Sequence, residues 1–138
     1  MEAKPHVVIE LPVQWGDMDA LGHVNNTRFF TWFESARIAL FDKIGVKSAG
    51  PSAVAPILAT TTCNYLAPLH FPAQLRVSAR CTKVGETSLT MEYEVACGDR
   101  VHARGSSVAV LVDYASSTKV RVPDTVRAAI AALDATTA

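Results

Sequence analysis

Apolar side chains recur at helical spacing over a long stretch near the N-terminus. Phe29, Phe33, Ala36, Leu40 and Ile44 follow one another at intervals of three or four residues, the spacing of one face of an α-helix. Four more apolar residues widen this stripe: Phe30, Trp32, Ile38 and Phe41. A helix that is apolar nearly all round is enclosed by other elements. The pattern therefore predicts a long central helix over residues 27–44 that is wrapped by other parts of the protein.

Both ends of this helix carry the residues that normally stop one. Asn25 or Asn26 is a suitable N-cap, because a short side-chain oxygen accepts hydrogen bonds from the free amides of the first turn. Gly45 directly follows the last apolar position and is typical of a helix C-terminus. The helix is thus bounded on local grounds alone.

Two later segments alternate strictly between apolar and polar residues. Residues 75–81 and 89–97 carry their apolar side chains at odd positions, the period of half-buried antiparallel strands. Their apolar faces coincide only if the hairpin loop has an odd number of residues, which selects the segment 85–87. The same argument applies at the next turn, 98–100. This register predicts two cross-strand charge pairs, Arg80 with Glu92 and Glu94 with Arg104.

Three further segments complete the predicted sheet. Residues 7–13 alternate, and Pro12 suits an edge strand. Residues 46–56, which contain Gly50-Pro51, are predicted to be a loop, and residues 57–66 a strand. The last strand, 101–114, becomes apolar on both faces in its second half, where Val108, Val110 and Val112 join the inner residues. We expect another subunit to cover that outer face.

The order of elements is strand, long helix, then a run of antiparallel strands. A short terminal helix follows, opening at Pro123 or Asp124. This order predicts an α+β fold in which one helix lies against a curled antiparallel sheet of about five strands. A length of 138 residues predicts a single domain, 1–138.

Composition removes several classes of function. Lys plus Arg and Asp plus Glu are both 13, so the neutral chain offers no electrostatic support for a nucleic-acid partner. The three cysteines, Cys63, Cys81 and Cys97, lack the spacing of a disulfide framework or zinc site. Residues 1–6 are not followed by the apolar core typical of a signal peptide, and the longest aliphatic run, residues 108–112, is too short to span a membrane. We therefore expect a cytoplasmic protein without a membrane partner.

Two carboxylates and an imidazole lie just before the predicted central helix: Asp17, Asp19 and His23. The first turn of a helix has free N–H groups and the positive end of the dipole, so it favours negative charge. An anion or a developing oxyanion is stabilised there. The three side chains provide too few oxygen donors for a divalent cation, and no metal is expected.

The segment Trp15–Asn26 has the sequence W-G-D-M-D-A-L-G-H-V-N-N. It resembles the G-D-x-D-x-x-G-H-V-N-N signature of hotdog-fold acyl-CoA thioesterases of the 4-hydroxybenzoyl-CoA thioesterase type. Residues 64–68, 84–89 and 123–127 are similar to the family pattern as well. The resemblance implies the hotdog fold, a long central helix wrapped by the sheet. It also implies a homodimer with a joined sheet, often paired into a homotetramer.

The resemblance further implies the chemistry. The family's catalytic carboxylate matches Asp19, acting as general base on water or as nucleophile on the thioester carbonyl. A backbone N–H at the helix start polarises the carbonyl oxygen, and Asn26 occupies the matching place beside Asn25. No cofactor is needed. Four further residues are candidate substrate contacts or supporting groups, the last of them from across a dimer: Asp17, Gly22, His23 and Ser88.

The motif differs from the benzoyl-CoA enzymes at residues 23–26, where those carry apolar or aromatic side chains, and so resembles the branch acting on fatty acyl-CoA. We expect hydrolysis of an acyl-CoA to free acid and CoA. Two alternatives stay open. One is a hotdog hydratase or dehydratase that uses His23 with a carboxylate, and the other is a non-catalytic acyl-CoA-binding module. Candidates for the CoA phosphates are Arg76, Arg104, Lys119 and Arg121.

Overall fold

The structure, a computed structural model, describes residues 3–47 and 54–137, the side chain of residue 137 excepted. These residues form six strands, two α-helices and one short 3₁₀ turn. In chain order they are β1 (Val7–Pro12), the 3₁₀ turn (Trp15–Asp17), α1 (Asn26–Ile44), β2 (Val54–Tyr65), β3 (Gln74–Val84), β4 (Ser88–Cys97), β5 (Arg100–Asp113), β6 (Thr118–Lys119) and α2 (Asp124–Thr137).

The strands make one antiparallel sheet in the order β1-β3-β4-β5-β2, with β6 paired to the end of β5. Helix α1 crosses the inner face of this sheet and contacts four of its strands. The α+β hotdog prediction is therefore confirmed. The sheet has one strand more than the five expected, because Thr118 and Lys119 add a two-residue strand that no sequence pattern marks.

The core lies between α1 and the inner side chains of the sheet. Phe33 in α1 is fully buried and stacks on Tyr93 in β4, with ring centroids 4.7 Å apart. Alternate residues of β3 and β4 point into the same core, as the period-two pattern predicts. Burial of each large apolar side chain contributes about 1.5–3 kcal/mol. The amphipathic pattern of the strands thus positions α1, and α1 positions the residues at its start.

The predicted hairpin register is confirmed. Residues 85–87 join β3 to β4, and Arg80 lies opposite Glu92. Glu94 lies opposite Arg104 across the next turn, and the Arg104 Nε is 3.3 Å from the Glu94 Oε2. Parity predicts these pairs because one face of each strand is buried and the other is polar. The predicted turn 98–100 is one residue too long, because Arg100 already belongs to β5 and pairs with Cys97, and the register shifts between Val95 and Ala96.

The predicted loop over residues 46–56 is wrong at its C-terminal end. Strand β2 begins at Val54, and Val54, Ala55 and Pro56 pair with the last residues of β5. Proline is accepted because β2 is an edge strand, where one side of the backbone needs no ladder partner. Gly50 and Pro51 lie outside the described residues.

Helix α1 is not enclosed on all sides within one chain. Its buried residues form a wide stripe toward the sheet, but the Ile38 side chain is 46% exposed. Glu34 and Asp42 are exposed on the same outward side. The sheet has only one inner face, so within one chain it covers one side of α1.

Candidate active site

Asp17 organises the segment that leads into α1. Its Oδ2 accepts a hydrogen bond from the Gln14 N–H at 2.7 Å, and its Oδ1 lies 3.5 Å from the Arg28 Nε. The Asp17 backbone carbonyl accepts from the Asn25 N–H at 2.9 Å. The carboxylate therefore has structural partners on both oxygens.

The second aspartate begins a tight turn. Asp19 donates its N–H to the His23 carbonyl at 2.8 Å, and its own carbonyl accepts from the Gly22 N–H at 3.1 Å. Gly22 has φ +81°, a conformation that residues with a side chain rarely adopt. The Asp19 Oδ1 accepts from the Leu21 N–H at 2.9 Å. No donor among the described residues binds Asp19 Oδ2, so this oxygen is available to water or substrate.

The start of α1 leaves one amide unbonded. Asn25 is the N-cap, as predicted, and its Oδ1 accepts from the Thr27 N–H at 2.9 Å and the Thr27 hydroxyl at 2.6 Å. The Arg28 N–H donates to the Asn25 carbonyl at 3.0 Å. Within the described part of the chain, the Asn26 N–H has no acceptor. It is the free donor that the positive end of the helix presents.

An open cavity of about 370 Å³ lies beside the turn and the start of α1. Asp19, His23 and Asn26 lie on its wall, so three of the candidate site residues are brought together. The remaining lining is mainly apolar and comes from Val24, Phe29 and the segment Tyr65–Leu69. The residues that carry the carboxylate and the unbonded amide thus line one pocket, whose other walls suit an apolar group.

Tyr65, at the end of β2, is a site residue that the sequence did not single out. Its hydroxyl donates to the Asn26 carbonyl at 2.8 Å, and its ring packs edge-on against Phe29 with centroids 5.1 Å apart. Burial, together with the neighbouring Cys63, raises the pKa of Tyr65 to about 12. The hydroxyl therefore stays protonated and remains a donor at neutral pH.

Residues just after Tyr65 hydrogen-bond to the segment 22–24, which follows Asp19. The Val24 N–H donates to the Leu69 carbonyl at 2.8 Å. His70 Nδ1 donates to the Gly22 carbonyl at 3.0 Å, and its ring centroid is 4.9 Å from that of His23. In the sequence these residues only interrupt a strand, and nothing local signals contacts to residues more than forty positions away.

Other candidate residues lie outside this cavity. Ser88 begins β4 next to Gly85, and its contact with a site across a dimer stays a prediction. Three of the candidate phosphate ligands have other partners: Arg76 binds the Gly98 carbonyl, Arg104 binds Glu94, and Arg121 binds Glu86 and Asp124. In the described part of the chain no three His, Cys, Asp or Glu side chains form a metal site. None of the helices described is long and apolar enough to cross a membrane.

Comparison with known families shows the family of the chain. Residues 13–130 match the thioesterase-like superfamily. The chain belongs to that family. The match includes the site segment, α1 and the whole sheet from β2 onward, and it places the activity in the thioester-hydrolase class.

Several relatives of this thioesterase-like chain are similar over most of its length. PA2801, a Pseudomonas aeruginosa protein proposed to be a thioesterase, is 34% identical, with a TM-score of 0.84 over 92% of this chain and 99% of its own. A Thermus thermophilus thioesterase complexed with coenzyme A and Zn is 30% identical, with a TM-score of 0.81 and 98% of each chain covered. The uncharacterised Bacillus subtilis protein YsmA is 31% identical over 84 residues, which span 61% of this chain and 56% of YsmA.

Proposed function

We propose that this protein hydrolyses acyl-CoA thioesters to a free acid and CoA, with Asp19 supplying the attack and the Asn26 N–H binding the developing oxyanion. The observation that carries the proposal is their common cavity of about 370 Å³, which Asp19 and Asn26 both line. Family membership supports the reaction class, and the geometry supports the residues.

The oxyanion role follows from the free amide. Attack on a thioester carbonyl moves negative charge onto the carbonyl oxygen, and a preorganised N–H at a helix N-terminus stabilises that charge. Thr27 N–H is occupied by the Asn25 side chain, so the Asn26 N–H is the donor left for the substrate. Removal of one such donor in other acyl-transfer enzymes lowers kcat by about 10²–10³.

The carboxylate role follows from the turn. With one oxygen bonded to the Leu21 N–H, Asp19 keeps the other oxygen for a water proton or for the carbonyl carbon. As a base, it takes one proton from water while the hydroxide adds to the carbonyl. Collapse of the tetrahedral intermediate then breaks the carbon–sulfur bond, and the departing CoA thiolate takes up the proton. As a nucleophile, it adds to the carbonyl carbon and the carbon–sulfur bond breaks, so that the CoA thiolate leaves and an acyl-enzyme anhydride remains. Water then hydrolyses the anhydride, which releases the free acid and regenerates the Asp19 carboxylate.

The substrate proposal combines the apolar walls with a relative. Phe29, Leu66 and Leu69 line the cavity, which favours a hydrocarbon acyl group. A relative that is 30% identical over 98% of this chain forms a complex with coenzyme A. We therefore propose a fatty acyl-CoA as the substrate. Self-association as a homodimer belongs to the same proposal, and a cytoplasmic location stays a prediction.

Asp19→Asn tests the proposal directly. Acyl-CoA substrates of graded chain length are incubated with the wild-type protein, and the thiol released is measured. We expect Asp19→Asn to lower kcat by roughly 10³-fold, because the amide neither accepts the water proton nor attacks the carbonyl. Asp99→Asn is the matched control, since Asp99 is exposed in the β4–β5 turn. It should retain wild-type kinetics.

The alternatives predict different products. A hydratase converts an enoyl thioester to a hydroxyacyl thioester without releasing thiol, which mass spectrometry detects. A binding module retains acyl-CoA unchanged at every chain length. Near-wild-type thiol release by Asp19→Asn on every acyl-CoA that the parent cleaves would rule out the assigned role.

A further inference from the structure

We propose that Tyr65 is a positioning residue for the thioesterase reaction, because its hydroxyl fixes the first peptide of α1 beside the amide assigned to the oxyanion. The inference rests on the proposed function. Tyr65 lines the same cavity as Asp19 and Asn26, and its hydroxyl lies 2.8 Å from the Asn26 carbonyl oxygen.

The two peptide planes on either side of the Asn26 α-carbon are both held. The first contains the Asn25 carbonyl and the Asn26 N–H, and the Arg28 N–H holds it by donating to that carbonyl at 3.0 Å. The second contains the Asn26 carbonyl, which accepts from the Tyr65 hydroxyl. It also contains the Thr27 N–H, which donates to the Asn25 side chain. Because peptides are planar, these bonds set the direction in which the Asn26 N–H points.

The hydrogen bond from Tyr65 differs from the other two because it joins α1 to the sheet. The bonds from Asn25 and Arg28 lie within the helix start and move with it. Tyr65 belongs to β2, and the two residues after it donate their N–H groups to the His102 carbonyl of β5, at 2.9 and 3.2 Å. The hydroxyl therefore fixes the helix start against a rigid strand pair. Displacement of the amide by a fraction of an ångström weakens its bond to an oxyanion.

The hydroxyl proton is already donated to Asn26, which argues against proton transfer to the substrate. The raised pKa of Tyr65 supports the same assignment, because the group remains a neutral donor across the working range of a hydrolase. The ring adds the edge-on contact with Phe29, which buries one side of it. The role is thus geometric rather than acid–base.

Tyr65→Phe removes the hydroxyl and keeps the ring on Phe29. With the acyl-CoA that the wild-type enzyme cleaves best, we expect kcat to fall about tenfold while KM stays within twofold. The pH profile of kcat should keep its shape, because no titrating group is lost. Tyr65→Leu removes the ring as well and should add a loss of thermal stability to the same fall in kcat.

Tyr114→Phe is the matched control. Tyr114 is exposed, lies after β5 and does not line the cavity, so loss of its hydroxyl should leave kcat, KM and Tm unchanged. Circular dichroism of each variant establishes the folded fraction, by which kcat is corrected.

Three results would overturn the positioning role. The first is a corrected kcat for Tyr65→Phe within twofold of wild type. The second is a defect confined to KM, since the hydroxyl would then contact substrate. The third is loss of one limb of the pH profile, since the hydroxyl would then transfer a proton. If the wild-type protein releases no thiol at all, the proposed function fails and takes the kinetic role of Tyr65 with it.

Discussion

At Gly105, strand β5 comes into close contact with α1. A Cβ atom built on it would meet the Phe33 ring and the backbone carbonyl of Thr62 at distances that real Cβ atoms do not show. The missing side chain leaves room for the Phe33 ring to lie flat on Tyr93. A single hydrogen atom in place of a methyl group thus determines how closely α1 approaches the sheet.

Gly105→Ala should destabilise the protein by about 1–3 kcal/mol, because the added methyl group displaces a ring that has no free space around it. Denaturant unfolding followed by circular dichroism measures this free energy. Gly16→Ala is the control, since a Cβ at Gly16 meets nothing within 4 Å. Equal free energies of unfolding for the two variants would show that α1 has room to shift.

Residue-level features were predictable where their cause is local. Asn25 as N-cap and Gly45 as the helix end follow from groups within four residues of them, and both are found. Tyr65 was not predicted as a site residue, because its bond to Asn26 joins positions 39 apart in the chain. The family motif predicted that Asp19 and an amide at the start of α1 act at one site. Both residues line the same cavity, and their catalytic roles stay predictions.

At the scale of elements, α2 is joined to the sheet by a polar cluster. The Asp134 Oδ1 lies 2.7 Å from the Nε2 of buried His6 and 2.6 Å from the Arg80 Nη2. The Cys81 N–H donates to His6 Nδ1 at 3.1 Å, so His6 accepts there and its Nε2 carries the proton. The last helix, the chain before β1 and strand β3 therefore meet at one carboxylate.

Asp134→Ala should lower the free energy of unfolding by about 1–3 kcal/mol, because the buried His6 N–H loses its acceptor. Thermal and urea unfolding measure the change. Asp42→Ala is the control: Asp42 is an exposed helical carboxylate near the C-terminal end of α1, where its charge opposes the helix dipole. Its removal should leave the free energy of unfolding unchanged or raise it slightly. A neutral Asp134→Ala would contradict the structural role of the cluster.

An element was predictable where its own residues show a clear hydrophobic pattern. The β3–β4 hairpin follows from parity, since both strands have one polar and one buried face. The first residues of β2 do not alternate, and they are strand because β5 extends far enough to pair with them. Ile38 on α1 remains 46% exposed, because one sheet covers only one side of the helix.

At the scale of the whole molecule, the sheet leaves apolar surface open around β2 and β5. On the outer face Ile57 is 47% exposed and lies opposite Val110, while Ala55 lies opposite Val112. Among the described strands, β2 pairs only with β5, and the outer edge of a long strand attracts another strand. Both features favour assembly through this end of the molecule. The edge of β2 would form a dimer, and the outer face of β2 and β5 would join two dimers.

Ile57→Lys should therefore convert a homotetramer into a homodimer. A lysine in the apolar outer face loses its hydration if that face is covered, whereas the edge of β2 keeps its backbone groups for the dimer. Sedimentation velocity at micromolar concentrations gives the masses of the wild-type and variant proteins. Activity per chain should survive in the dimer, because the cavity lined by Asp19 and Asn26 lies on the inner side of the sheet.

Val8→Lys is the control that tests whether the effect depends on the position of the apolar residue or only on its exposure. Val8 is 48% exposed on the outer face of β1, at the opposite edge of the sheet, so its exposure equals that of Ile57 while its position differs. The variant should remain tetrameric. A tetramer that persists in Ile57→Lys, or one lost equally in both variants, would place the contact elsewhere. A wild-type monomer would show that the apolar residues of β2 and β5 tolerate water, as scattered apolar surface residues do.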